Sequence, residues 1–201
     1  MLVEERKAQL RRTERNRWSR SVPKEELAGK SLSVQENCLS AFPPGPGMRV
    51  ALYKAVGTEV GTDHIRGRCL ASGALLYYPR VMDDGRLSFY PGGGSDGWVR
   101  GKYGLLEPRV APGTEGLRSG FDLVVVPGMA FDGKGRRLGK GYGYYDRFLS
   151  GLAGTAVTVG LAFSRQMVPE VPVDSWDVPV DAVVTEDGVI RVSGCARRAQ
   201  P

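Results

Sequence analysis

Residues 121–148 decide the fold of this chain: Phe121-Asp-Leu-Val-Val-Val-Pro-Gly-Met-Ala-Phe-Asp-Gly-Lys-Gly-Arg-Arg-Leu-Gly-Lys-Gly-Tyr-Gly-Tyr-Tyr-Asp-Arg-Phe148. Leu123 to Val126 is an unbroken apolar run, the mark of a strand buried on both faces. Pro127-Gly128 ends it. In the loop that follows, Gly133, Gly135, Gly139, Gly141 and Gly143 alternate with Lys134, Arg136, Arg137 and Lys140. A helical pattern around Tyr144, Tyr145, Phe148 and Leu149 comes next. Glycine lets backbone N–H groups come close to a ligand, and the cations supply the charge that a polyphosphate needs. Asp146 is placed to meet a metal ion or a ligand amine. The unit reads as strand, anion-binding loop and helix.

Downstream, Ala156 to Ala162 is another apolar strand. Pro169 and Pro172 keep residues 168–173 extended. Val180 to Thr185 reads as a strand, and Asp187-Gly188 as a hairpin turn into Val189–Val192. Upstream, Arg49–Lys54, a helix capped by Thr62 and running to about Ser72, and Leu75–Tyr78 make a βαβ unit. Glu59 then lies just past the carboxyl end of a strand, where open α/β sheets bind ligands. Residues 83–120 are less regular. Arg86–Tyr90 reads as a short strand and residues 91–97 as a flexible loop. Trp98 is expected in a small apolar cluster, and Tyr103 to stack on a planar ligand.

Nearer the N-terminus, Ser33-Val-Gln-Glu36 fits a capping box that opens a helix to about Phe42, stopped by Pro43 to Gly47. Residues 4–20 form a basic helix with Leu10 and Trp18 as apolar anchors and Lys7 and Arg11 on one face. The expected architecture is a single α/β domain over residues 1–195, with residues 1–20 as its N-terminal helix and 196–201 as a frayed tail. It is a three-layer sandwich, its mostly parallel sheet flanked by helices and closed by an antiparallel edge.

Composition narrows the chemistry. A length of 201 residues with 41% apolar side chains supports a real core. The 28 glycines are about twice the usual share and show no period, which favours binding loops over a fibrous repeat. Cys38, Cys69 and Cys195 lack metal-ligand spacing and His64 is the only histidine. A zinc site, a disulfide framework and a histidine-based triad are therefore disfavoured. No apolar run approaches the roughly 20 residues of a membrane span, and no signal-peptide core is present, so a cytoplasmic protein is expected. The net charge of +6 suits an acidic partner without choosing one.

General nucleotide fingerprints fit poorly. Nothing matches Gly-x-x-x-x-Gly-Lys-Ser/Thr, and Gly139-Lys-Gly-Tyr-Gly143 lacks the third glycine and the ribose-binding acid of a dinucleotide fold. The longer string, Pro127-Gly-Met-Ala-Phe-Asp132, Gly135 and Arg137-Leu-Gly-Lys-Gly-Tyr-Gly-Tyr-Tyr-Asp146, closely resembles the signature of the 5-formyltetrahydrofolate cyclo-ligase family. The resemblance runs from Lys7 to about Thr185. It takes in Lys7-x-x-Leu10-Arg11, Glu59-x-x-Thr62, Lys102-Tyr103-Gly104 with Glu107-Pro108, and Phe163-x-x-Gln166 through Asp177, Asp181 and Thr185-Glu186. Two positions depart from the pattern: Trp176 stands where a histidine is usual, and Gly61 where an acid is common.

The resemblance implies ATP- and Mg²⁺-dependent closure of 5-formyltetrahydrofolate to 5,10-methenyltetrahydrofolate. It assigns Arg137 and Lys140 to catalysis. Lys7, Arg11 and residues 137–145 (Arg137, Leu138, Gly139, Lys140, Gly141, Tyr142, Gly143, Tyr144, Tyr145) go to the nucleotide. Glu59, Tyr103 and Tyr145 go to the folate, and Asp146 and Asp177 to Mg²⁺. The expected partners are these small molecules, with no nucleic acid and no membrane, acting on a monomeric chain. The alternative is a non-catalytic nucleotide- or folate-binding protein on the same scaffold. A nucleic-acid-binding module is a weaker rival, since the basic residues gather around one loop instead of forming a stripe.

Overall fold

The computed structural model describes residues 2–19, 24–92, 97–152 and 154–192. The chain begins with α1 (Val3–Ser19), α2 (Lys24–Ala41), β1 (Arg49–Ala51), α3 (Asp63–Ser72), β2 (Leu75–Val81) and β3 (Leu87–Pro91). Next come β4 (Trp98–Arg100), β5 (Leu106–Pro108), β6 (Leu123–Val126), β7 (Ala130–Phe131) and β8 (Arg137–Leu138). It continues with α4 (Tyr144–Leu152), β9 (Val157–Leu161), β10 (Ala182–Thr185) and β11 (Gly188–Arg191). One sheet holds seven strands in the order β11-β10-β9-β6-β1-β2-β3. Strands β10 to β2 run parallel, and β11 and β3 are antiparallel at the two edges. The expected antiparallel edge is thus present on both sides.

Strand β6 sits in the middle because all four of its side chains are apolar and buried. Leu123 and Val125 join the core under α2 and α3, with Val34, Cys38, Ile65 and Cys69. Val124 and Val126 join the core under α4, with Phe148, Leu149 and Leu152. The period-2 alternation of a strand therefore builds both cores from one run, and the three layers follow. Burial pushes the Cys38 thiol up to about 12 and the Cys69 thiol up to about 11, so both behave as small hydrophobes.

Several local expectations are corrected. Helix α2 starts at Lys24, nine residues before the proposed cap, because residues 24–28 are helix formers with Glu25 and Glu26 in the first turn. Ser33 lies mid-helix and its hydroxyl donates back to Gly29 O, 3.4 Å away. Thr62 does precede α3, but its hydroxyl donates to Tyr53 O. The first amides of α3 are satisfied instead by Gln35 Oε1, which accepts from His64 N at 2.8 Å and Ile65 N at 3.3 Å. Strand β2 runs through Pro79 to Val81; β1 reaches only Tyr77 in register, so the missing proline N–H costs no ladder bond. The β10–β11 turn is Glu186-Asp187, one residue earlier than expected, with Gly188 opposite Thr185.

Trp98 packs edge-to-face on Tyr78, with ring centres 4.8 Å apart, against the main core under α2 and α3. Leu10 joins a small cluster with Ala130, Leu138 and Val171. The side chains of Trp18 and Tyr103, part of the 91–97 loop and the 196–201 tail lie outside the described residues. No described helix is long and apolar enough to cross a membrane.

Candidate active site

The sheet order reverses between β1 and β6. From β1 the chain crosses by α3 to β2 on one side, and from β6 it crosses by α4 to β9 on the other. Such a switch point opens a crevice beyond the carboxyl ends of the two strands. A cavity of about 440 Å³ lies there, lined by Tyr53 and Glu59 after β1 and by Pro127, Gly128 and residues 137–146 after β6. Lys7 and Arg11 reach its wall from α1, and Trp176 and Asp177 from the segment before β10.

The glycine loop is not a free loop, as the sequence suggested, but a hairpin. Strands β7 and β8 pair Ala130 with Leu138 and Phe131 with Arg137. Asp132 makes the turn. Its buried carboxylate accepts from Lys134 N, Arg136 N, Arg136 Nε and Val171 N, which ties the hairpin to the segment after β9. Gly135 has φ +73° and a Cβ there would stand 2.3 Å from Val180 O, so no other residue fits without moving the backbone. Gln166 donates to Gly128 O and Met129 O and fixes the other side. The result is a rigid ramp that delivers residues 137–143 to the cavity.

The cavity cations are held by carboxylates. Arg137 is 4% exposed and donates to Asp146 Oδ1 at 2.9 Å, with its guanidinium 5.5 Å from the Tyr145 ring centre. Lys140 is 53% exposed and meets Glu59 Oε1 at 2.8 Å. Lys7 donates to Asp174 at 2.8 Å and also to Asp177. Arg11 donates from Nε to Gly139 O at 3.1 Å and pairs with Glu4. Lys140 is the exposed end of its pair with the half-buried Glu59, so its ammonium can turn to a polyanion in the cavity more readily than the buried Arg137 guanidinium can. The dry Arg137–Asp146 pair holds its guanidinium in one place. Among the described residues, Arg137 Nε and the Tyr145 hydroxyl are buried with no hydrogen-bond partner. Such orphans in a cavity wall point to a ligand.

Nearly all the expected site residues meet here. Lys7, Arg11, Glu59, residues 137–146 and Asp177 share the cavity wall. The side chain of Tyr103 is outside the described residues. Asp146 and Asp177 are engaged by Arg137 and Lys7 respectively, and no described group of three or more acidic, histidine or cysteine residues could hold a metal. Sequence reasoning missed Tyr53, Glu107 and Trp176. Glu107 is buried, pairs with Arg80 at 3.1 Å and accepts from Val81 N. Its place in the matched Glu107-Pro108 segment is the one signal that could have found it.

The model of the 5-formyltetrahydrofolate cyclo-ligase family matches residues 3–186. A mouse 5-formyltetrahydrofolate cyclo-ligase is 29% identical over 192 residues, covering 88% of this chain and 92% of the relative. The Escherichia coli K12 protein of the same name is 31% identical over 143 residues, covering 70% and 79%. The structure of an Aquifex aeolicus 5,10-methenyltetrahydrofolate synthetase superposes with a TM-score of 0.77 at 31% identity, covering 100% of this chain and 97% of the other. Signature, fold and cavity coincide over the same residues. The chain belongs to the 5-formyltetrahydrofolate cyclo-ligase family.

Proposed function

We propose that this enzyme converts 5-formyltetrahydrofolate to 5,10-methenyltetrahydrofolate with ATP and Mg²⁺, releasing ADP and phosphate. The observation that carries this reading is the convergence of Lys7, Arg11, Arg137 and Lys140 on one cavity beside the Gly139–Gly143 backbone. The formyl group is an amide, and its oxygen is a poor leaving group. That oxygen attacks the γ-phosphorus and the bond to the β,γ-bridging oxygen breaks, releasing ADP. The N5 lone pair now forms an iminium to the formyl carbon, which carries the phosphorylated oxygen. N10 attacks that carbon, the carbon–oxygen bond breaks, and phosphate departs as N10 loses its proton.

Phosphoryl transfer needs positioning and neutralisation of spread charge more than covalent help. Arg137 supplies a fixed guanidinium and Lys140 a mobile ammonium. Backbone N–H groups of residues 139–143 cradle the phosphates, and Lys7 and Arg11 close over them from α1. Glu59 and Tyr145 take the folate side, with Tyr103. Asp146 and Asp177, here paired with Arg137 and Lys7, are the carboxylates that would hold Mg²⁺, directly or through water. Bound there, it would offset charge on the phosphates. We read residues 1–195 as one domain and the working unit as a monomer of the cytoplasm.

The test is direct. Purified protein given 5-formyltetrahydrofolate, ATP and Mg²⁺ should develop the methenyl chromophore in step with ADP. No absorbance rise and no folate-dependent ADP would reduce the chain to a binding protein.

A further inference from the structure

Trp176 is 67% exposed, the large apolar side chain left most open in the part of the chain that faces the cavity. It sits at the rim and not on an idle surface. The backbone that carries it is pinned: Asp177 N donates to Asp174 O at 3.1 Å, closing a β-turn, and Asp174 N donates to Asp177 Oδ2 at 2.7 Å. Lys7 then binds both carboxylates of that turn. An indole held on a fixed turn loses little freedom when a flat partner docks on it. The turn is in direct contact with α1 through Lys7, and Trp176 and Asp177 line the same cavity as Lys7 and Arg11.

We propose that Trp176 is the stacking platform for the nucleotide base, a specificity-determining residue of the ATP subsite. This rests on the nucleotide reading given above. With the phosphates on the glycine hairpin and Lys7, the ring of the nucleoside lies on the indole face at the cavity mouth. The flat pair formed by Tyr142 and Tyr144 (ring centres 5.5 Å apart, 15° between planes) is already stacked on itself and is the poorer acceptor.

The test combines intrinsic fluorescence with steady-state kinetics on the full chain, comparing the wild type with Trp176→Ala and Trp176→Phe. ATP should quench wild-type fluorescence, inorganic tripolyphosphate should not, and Trp176→Ala should lose the ATP-dependent quench. Base–aromatic stacking predicts that Trp176→Ala raises KM for ATP by roughly five- to hundredfold, with KM for the folate little changed. Trp176→Phe should recover most of the affinity. The inference fails if ATP binds the wild type by calorimetry without a Trp176-dependent quench, or if the alanine variant raises KM for the folate instead. Should wild-type protein bind no ATP at all, the proposed function falls with it.

Discussion

Helices α1 and α4 both serve the cavity, yet they are fastened in opposite ways. The nine residues of α4 bury Phe148, Leu149 and Leu152 against the sheet. Of its described side chains, the seventeen-residue α1 packs one apolar group, Leu10, on a core cluster. Its other ties are polar: Lys7 to Asp174 and Asp177, Arg11 to Gly139 O, Arg6 to Glu170, and Arg17 and Arg165 each to the other's backbone oxygen. Apolar burial is non-directional and makes α4 part of the folded core. Charge pairing is geometric and screened by salt, which makes α1 a clasp that can open while the sheet stays intact.

The contrast can be broken at its strong end first. Phe148 packs against Phe89, with ring centres 4.5 Å apart, so Phe148→Ala should cost about 3–5 kcal/mol. Calorimetry should show the whole domain melting earlier; a loss confined to α4 would mean that α4 is not part of the common core. Lys7→Met should act locally. Hydrogen exchange should quicken in α1 and not in α4, and nucleotide affinity should fall about tenfold, the order expected for one lost charge-assisted bond. Burial lowers the Lys7 pKa, but Asp174 and Asp177 outweigh it and hold it above the ordinary lysine value. The clasp therefore contributes fully below about pH 10 and is lost as pH rises past the folded-state value. Exchange in α1 that is unchanged at high pH would contradict this.

Glu14 tests α1 from the other direction. Its carboxylate is fully buried, and Arg17 Nη1 stands 3.2 Å away but out of hydrogen-bond alignment. Burial raises its pKa, against the pull of Arg17 and Arg165. A raised carboxyl pKa means that stability falls as pH climbs from the unfolded value through the folded one. Glu14→Gln should stabilise the neutral-pH protein by about 1 kcal/mol, roughly 2–4 °C in Tm. The gain should vanish as pH falls toward about 4. A destabilised variant would mean that the Arg17 contact outweighs burial. The smallest effect is on the thiols: Cys38 and Cys69 should resist alkylation in the wild type and in Lys7→Met alike. Labelling of either in the variant would show that α1 and the sheet open together.

The same contrast explains what was legible in the sequence. Strands β6, β9 and β10 announce themselves as apolar runs, and α4 as an apolar stripe, because burial writes a local pattern. The Pro127–Asp146 string carried the family and the longest continuous part of the cavity wall, residues 137–146. The hairpin of β7 and β8 was hidden, since each strand has two residues and its shape is set by Asp132, Val171 and Val180 acting across the chain. The cap of α3 was misread because Gln35, from another helix, supplies it. Trp176 and Glu107 were marked in the sequence, as a departure from the family pattern and as part of a matched segment, but only the fold shows both lining the cavity.

The most direct measurement follows the formyl oxygen. 5-Formyltetrahydrofolate carrying a heavy isotope in that oxygen should, with ATP and Mg²⁺, deliver the label into the released phosphate as the methenyl product forms. Label found in water, with unlabelled phosphate, would contradict phosphorylation of the formyl group and the role given to the cations around it.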